Sequence, residues 1–256
     1  NFGTGDPSTT NDSTIFGIYD WLVRSLVSFD PEVIHQSKLL ANSRWTADLL
    51  RDEYGPEIDV ETVYPPVSLD GLRPRSWSRR ENGFLTVGRI DVTKGILRNI
   101  TIIDRLRDRG HDVHLHVVGP TSNSTYARRV RHKAADRPYV SLEGPLPYDS
   151  LLELYETHRF GLHGREFEHF GIVVAELALA GAIPFAPNSG GQREILNEDD
   201  RLLYDSTDEA VEKIDRVLSS DRLQKTLRQV VPTSEREYHP DEFRKGIREA
   251  VAEVKR

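Results

Sequence analysis

Two carboxylates and two cations stand where they could handle a phosphorylated ligand. Glu168 and Glu176 belong to the run Arg165-Glu166-Phe167-Glu168-His169-Phe170-Gly171-Ile172-Val173-Val174-Ala175-Glu176. The apolar stretch before it, Phe160-Gly161-Leu162-His163, reads as a strand, and a helix opens near Gly171 and continues to Gly181. Glu168 then lies in a strand-to-helix loop. Glu176 lies inside the helix, about 7–8 Å along its axis from Gly171 at ~1.5 Å per residue. First-turn amides have no partner within the helix and sit at the positive end of its dipole, so they attract anions. A phosphate held there would lie between the two carboxylates. Upstream, Arg89 and Lys94 flank a second strand-to-helix turn, Gly88-Arg89-Ile90-Asp91-Val92-Thr93-Lys94-Gly95. These two are either solvated cations or a diphosphate clamp, Arg as a planar fork and Lys as a point charge.

The elements that must position these residues follow from the apolar pattern. Residues 1–12 are polar and turn-rich, and residues 14–29 carry Ile15, Ile18, Trp21, Leu22, Leu26 and Phe29 at helical spacing. A strand is expected over 38–42. Ser43 should cap a helix from Arg44 to Tyr54, and a strand from Asp59 to Tyr64 should stop at Pro65-Pro66. Beyond a polar stretch, strands are expected at 84–87, 114–118, 140–142, 160–163, 183–186 and 201–204. Helices are expected at 96–109, 124–135, 148–157, near Glu194, after Ser206, and twice more before the end. Such alternation means an α/β fold, a parallel sheet with helices on both faces. Ligands bind such sheets at the carboxyl ends of the strands. The distinctive loops, Gly88–Gly95, Gly119-Pro120, Gly144–Pro147 with Leu146, His163–Gly171 and Asn188–Gly191, all follow strands.

The string Glu168-His169-Phe170-Gly171…Glu176 resembles the E-x7-E motif of family 4 retaining glycosyltransferases of the GT-B fold. With Gly161-Leu162-His163, Gly181 and Asn188-Ser189-Gly190-Gly191, the chain is closer still to the alpha-1,2-mannosyltransferases that extend lipid-linked oligosaccharides. Asn42-Ser43-x-Trp45-Thr46…Val63-Tyr64-Pro65-Pro66-Val67 resembles the end of that family's N-terminal domain. The resemblance implies a Rossmann-like donor domain over 84–230, preceded by the last part of an N-terminal Rossmann-like domain (1–66) and a linker (67–83), with closing helices at 231–256. It implies mannose transfer from GDP-mannose to a lipid-linked or other glycan acceptor. Arg89 and Lys94 match the family's nucleotide-binding cations. Glu176 matches the carboxylate on the ribose, and Glu168 the one beside the donor sugar. The family is generally thought to use front-face attack, so Glu168 is not read as a nucleophile. His169, Phe170, Gly171, Ile172, Gly88 and Gly119 join the donor site on the same ground. Only the end of the family's N-terminal domain is present. The chain is therefore also read as a fragment, a nucleotide-sugar-binding module without catalysis, or half of a split enzyme.

Several residues keep two readings. His163 is either a structural group or a donor contact. Gly190 and Gly191 are turn glycines, or they let backbone approach the donor. The basic run Arg128-Arg129-Val130-Arg131-His132-Lys133 is a solvated helix face or a contact for an anionic membrane surface. His114 and His116 alternate with apolar residues and lack a third metal ligand. No metal cofactor is expected, because no Asp-x-Asp follows a strand and Arg89 and Lys94 can carry the charge work.

Composition bounds the rest. The 256 residues carry a formal net charge of −7, against the basic footprint of a general nucleic-acid binder. There is no cysteine, so no disulfide framework or thiolate zinc site. No apolar run is long enough to span a membrane. The expected location is cytoplasmic, with peripheral membrane contact through the acceptor.

Overall fold

A computed structural model of the chain describes residues 32–231 and 238–254. The expected loop at 1–12 and apolar stripe at 14–29 lie outside these residues. A helical turn, α1 (Glu32–His35), leads into β1 (Leu39–Ala41), α2 (Arg44–Tyr54) and β2 (Val60–Thr62), and the two strands pair in parallel. Ser43 starts α2 by accepting the Thr46 amide at 3.0 Å. Gly55, at φ +105°, ends it.

The main body begins with β3 (Glu81–Val87), α3 (Ile96–Asp108), β4 (His114–Val118), α4 (Thr125–Ala135), β5 (Val140–Gly144) and α5 (Tyr148–Thr157). It continues through β6 (His158–Leu162), α6 (Ile172–Leu179), β7 (Ile183–Pro187), α7 (Gln192–Ile195), β8 (Leu203–Tyr204), α8 (Thr207–Leu218) and α9 (Asp221–Val230). Six strands form one parallel sheet in the order β5-β4-β3-β6-β7-β8. Most expected elements recur within one or two residues. β6 differs by starting at His158, two residues earlier than its apolar pattern, because His158 pairs with Glu81 of β3.

Both faces of the sheet are covered. Leu115 and Val117 of β4 join a core with Ile100 and Ile103 of α3 and Val211 and Ile214 of α8. On the other face Leu85 and Val118 meet Leu152 and Tyr155 of α5 and Leu177 of α6. Phe84 and Phe160, both fully buried, stack across β3 and β6 with centroids 5.0 Å apart. Burying such a ring contributes about 1.5–3 kcal/mol, and Phe160→Ala should cost about 3–5 kcal/mol through the cavity it leaves.

The last helix, α10 (Pro240–Val254), returns to the small sheet. Lys38 beside β1 pairs with Glu253 of α10 and with Glu61 of β2. The Val67 amide donates to the Tyr238 carbonyl at 2.8 Å. Among the described residues, no helix is long and apolar enough to cross a membrane.

Candidate functional site

The strand order turns at one place. β3, β4 and β5 run outward to one side and β6, β7 and β8 to the other, so β3 and β6 are neighbours whose following loops diverge. A crevice forms at the carboxyl ends of such a pair. The two loops singled out by their chemistry, Gly88–Gly95 after β3 and His163–Gly171 after β6, lie on its two sides.

Close backbone packing joins the loops. Asp91 accepts the Thr93 amide at 3.0 Å and opens a 3-10 turn, Val92–Lys94, which Gly95 ends at φ +62°. A Cβ on Gly95 would stand 2.5 Å from the Gly164 carbonyl oxygen, so only glycine lets the loops approach this closely. The turn delivers Lys94 Nζ to 2.9 Å from Glu168 Oε2. Arg165 Nε stands 3.5 Å and His163 Nε2 3.6 Å from the same oxygen. Burial alone would raise the Glu168 pKa, but His163 and the Lys94 ammonium outweigh it and hold the carboxyl at about 2. His163 is 3% exposed, and burial pushes its own pKa down. Arg89 projects into solvent, its Nε 3.6 Å from Asp91 Oδ2.

Behind Glu168 the chain enters α6 through Gly171, at φ +104°, and no side chain caps the helix. Its first turn is therefore open to a ligand, and Ile172 beside it is exposed. Glu176, one turn further, accepts a hydrogen bond from the hydroxyl of buried Tyr155 at 2.7 Å. Burial raises the Glu176 pKa and the Tyr155 bond opposes the rise.

Other expected site residues are placed differently. Phe170 does not face the crevice: it is 3% exposed, its ring 5.9 Å from Tyr64 and 5.4 Å from Tyr238, so its side chain packs the core. His169 turns toward α2, its ring 5.6 Å from Trp45 and Nδ1 3.5 Å from Thr46 Oγ1. Leu146 packs beside Leu85 and Leu152. Gly119 makes room for Gly88, since a Cβ on Gly119 would stand 2.2 Å from the Gly88 carbonyl oxygen. Gly190 and Gly191 have the same role toward the acidic loop, where added Cβ atoms would meet the carbonyl oxygens of Glu168 and His169 at 2.3 Å. The Gly191 amide donates to the Glu168 carbonyl at 2.8 Å, so these glycines seat the loop. Phe167 holds φ +52° there, and its amide donates to Ser189 Oγ at 3.0 Å. A positive φ at a bulky residue stores strain.

Glu194 is a residue that local patterns did not mark. It is nearly buried and accepts the Arg44 and Trp45 amides at 3.1 and 2.8 Å and the Tyr64 hydroxyl at 2.9 Å. It caps α2 from across the chain, while Ser43 Oγ donates to the His169 carbonyl at 2.5 Å. These bonds fix the small sheet against the acidic loop. The structure also supplies what His114 and His116 lacked in sequence: His158 stands beside them at the amino end of the sheet.

The family model for "Glycosyl transferases group 1" matches residues 73–232, which hold both loops and the whole six-stranded sheet. The chain belongs to this family. It is 28% identical over 205 residues to the GDP-Man:Man(3)GlcNAc(2)-PP-Dol alpha-1,2-mannosyltransferase of Dictyostelium discoideum, covering 72% of this chain and 41% of the relative. The Homo sapiens protein of the same name is 32% identical over 201 residues, covering 71% of this chain and 41% of the relative. The chain thus spans about two fifths of the length of both relatives. Among solved structures, sucrose-phosphate synthase from Thermosynechococcus elongatus superposes with a TM-score of 0.74 at 16% identity, covering 98% of this chain and 64% of that one. Anabaena HepE, solved in complex with UDP and glucose, gives 0.73 at 16% identity, covering 88% and 68%. The group 1 glycosyltransferase chain therefore has the GT-B type of fold that its sequence resembles.

Proposed function

We propose that this chain carries the donor side of a retaining glycosyltransferase that moves mannose from GDP-mannose to a lipid-linked glycan. One observation carries the reading: Lys94 and Glu168 converge to 2.9 Å at the switch point of the sheet, on the approach to the uncapped start of α6. The diphosphate lies against those first-turn amides with Lys94 and the free Arg89 beside it. Both cations stabilise the charge that develops on the leaving group. Glu176 takes the ribose hydroxyls, with Tyr155 holding its other side. Glu168, ionised far below neutral pH, cannot donate a proton at pH 7. It serves as an acceptor for sugar hydroxyls and keeps Lys94 in place. The acceptor in the relatives' names, a lipid-linked glycan, carries PP-Dol, which supports work at a membrane surface. On this reading residues 84–230 are the donor domain, 67–83 the linker, and 1–66 the last part of the acceptor-side domain.

Calorimetry with GDP, UDP and ADP tests it. GDP should bind best, and Lys94→Ala should remove most of the affinity. Equal binding of all three nucleotides would overturn the guanine assignment, and binding of none would overturn the donor site. A second reading, donor binding without transfer, is favoured by the chain spanning only two fifths of its relatives. These 256 residues should then bind GDP-mannose and show no turnover on a lipid-linked acceptor. Robust transfer by them would remove that reading.

A further inference from the structure

The end of the sheet opposite the donor crevice holds a second group of polar side chains, which donor chemistry does not use. His114 and His116 project from the same face of β4, and His158 opens β6. β3 runs between these strands, and there Gly83 pairs with His114. A Cβ on Gly83 would stand 2.2 Å from His114 Nε2 and 2.8 Å from His158 Cδ2. The missing side chain is the space in which the imidazoles meet across β3. Their ring centroids lie 4.9 to 5.4 Å apart, and one ligand nitrogen from each falls within 4.8 Å of the others.

Their hydrogen bonding is incomplete in a specific way. His158 is 1% exposed, and its Nδ1 lies 2.9 Å from the Leu154 carbonyl oxygen. A carbonyl can only accept, so Nδ1 carries the proton and Nε2 presents a bare lone pair. That Nε2 is buried without a hydrogen-bond partner, while the buried His114 Nε2 and His116 Nδ1 each face a single carboxylate. A ring nitrogen fixed by a backbone carbonyl, with the other nitrogen free, is how proteins orient a histidine toward a metal. A buried nitrogen left unpaired, as His158 Nε2 is, is costly, and one cation would satisfy it together with the two imidazoles beside it.

Charge fits as well. Glu143 Oε1 lies 2.7 Å from His116 Nδ1 and Glu81 Oε2 3.3 Å from His114 Nε2. The carboxylates offset a cation, and either can supply a further ligand. The nearby buried Arg80 spends its guanidinium on the carbonyls of Arg75, His158 and Ala180.

We infer that His114, His116 and His158, with Glu143 or Glu81, form a binding site for a divalent transition-metal ion of the zinc type. Zinc takes imidazole nitrogens at about 2.0–2.1 Å in tetrahedral geometry, so its ligands stand about 3.4 Å apart. Modest side-chain rotation closes the present spacing. The ion would tie together the amino ends of β4 and β6, with β3 or β5 supplying the carboxylate. It is a structural site, remote from the donor crevice.

The test uses the 256-residue chain, stripped with a chelator and titrated with zinc chloride by calorimetry. Cobalt(II) absorption follows in parallel, since a tetrahedral cobalt site absorbs in the visible. One equivalent of zinc should bind, and a hundredfold excess over Kd should raise Tm by about 5–10 °C. His114→Gln, His116→Gln and His158→Gln should each weaken binding by at least about a hundredfold. His132→Gln, an exposed control, should leave it unchanged. Should His158→Gln fail to fold, the half-exposed His114 and His116 decide the matter. No saturable 1:1 binding, or equal affinity in His114→Gln and wild type, would overturn the site. GDP affinity measured on the stripped protein keeps this result separate from the donor-site reading.

Discussion

The two ends of the sheet solve the same problem in opposite ways. Each brings polar side chains from different strands into low-dielectric surroundings. At the carboxyl end the groups are ionised and matched: Lys94 meets Glu168 at 2.9 Å, and the Glu168 pKa falls to about 2. At the amino end the match is incomplete: three imidazoles crowd together, His158 Nε2 has no hydrogen-bond partner, and the His158 pKa is pushed down to about 3, first by burial. A matched pair is ready to exchange one partner for an incoming anion at small cost. An unmatched set waits for a cation. The sign of the ligand can thus be read from which polar groups the fold leaves unpaid.

The largest break in the comparison should come from the seat of the acidic loop. Gly190 holds φ +74°, and a Cβ there would stand 2.3 Å from the Glu168 carbonyl oxygen. Gly190→Ala must strain both backbones. We expect a loss of about 3 kcal/mol or more, a fall in Tm of roughly 6–12 °C by scanning calorimetry. An unchanged Tm would mean the loop moves freely over Gly190.

Lys94→Ala comes next. It leaves the 17% exposed Glu168 carboxylate with only Arg165 and His163 beside it, and should cost about 1–3 kcal/mol at pH 7. The sign with pH is fixed by the depressed pKa. The pair's contribution is present above the ordinary carboxylate pKa of 4.5 and is lost as pH falls through about 2. Urea melts of wild type and variant should therefore converge between pH 4.5 and 2; parallel curves would break the assignment. Arg89→Ala should leave stability alone, because the side chain is exposed. It should weaken GDP binding roughly 10- to 150-fold, by loss of a charge-assisted contact of about 1.5–3 kcal/mol. Unchanged affinity in calorimetry would make Arg89 a surface cation.

Much of this was legible because the relevant physics is local. Ser43 and Ser206 cap helices within three residues of themselves, whereas β2 stops at Thr62, short of the Pro65-Pro66 expected to end it. The loops that form the crevice each follow a strand, so topology gathers them without knowledge of any contact. What stayed hidden depends on long-range meetings. Glu194 caps α2 across 150 residues, and no spacing near Glu194 signals it. His158 joins His114 and His116 only because β6 lies one strand away across β3. Phe170 lies in the core because its ring meets Tyr64 and Tyr238, residues far from it in sequence. Tyr155 carries no local signal, since its bond to Glu176 needs α5 and α6 side by side.

The smallest effect should separate the two glutamates. Glu168 is stabilised as an anion, whereas Glu176 is buried with one neutral partner and a raised pKa. A raised folded-state pKa means that Glu176 subtracts stability as pH rises past its unfolded value, the reverse of Glu168. Glu176→Gln keeps an oxygen to accept the Tyr155 bond and removes the charge. It should leave stability at pH 7 unchanged or raise it by up to about 1 kcal/mol. GDP affinity should still fall by about 2- to 12-fold, since one ribose bond loses its ionic partner. Glu168→Gln should do the opposite, lowering stability at pH 7 while GDP affinity stays within about twofold, because its partner is the sugar. Paired denaturation and GDP titrations of the two variants decide it. If both lose GDP binding equally, the common cause is the disturbed start of α6, and the division of labour between the two carboxylates fails.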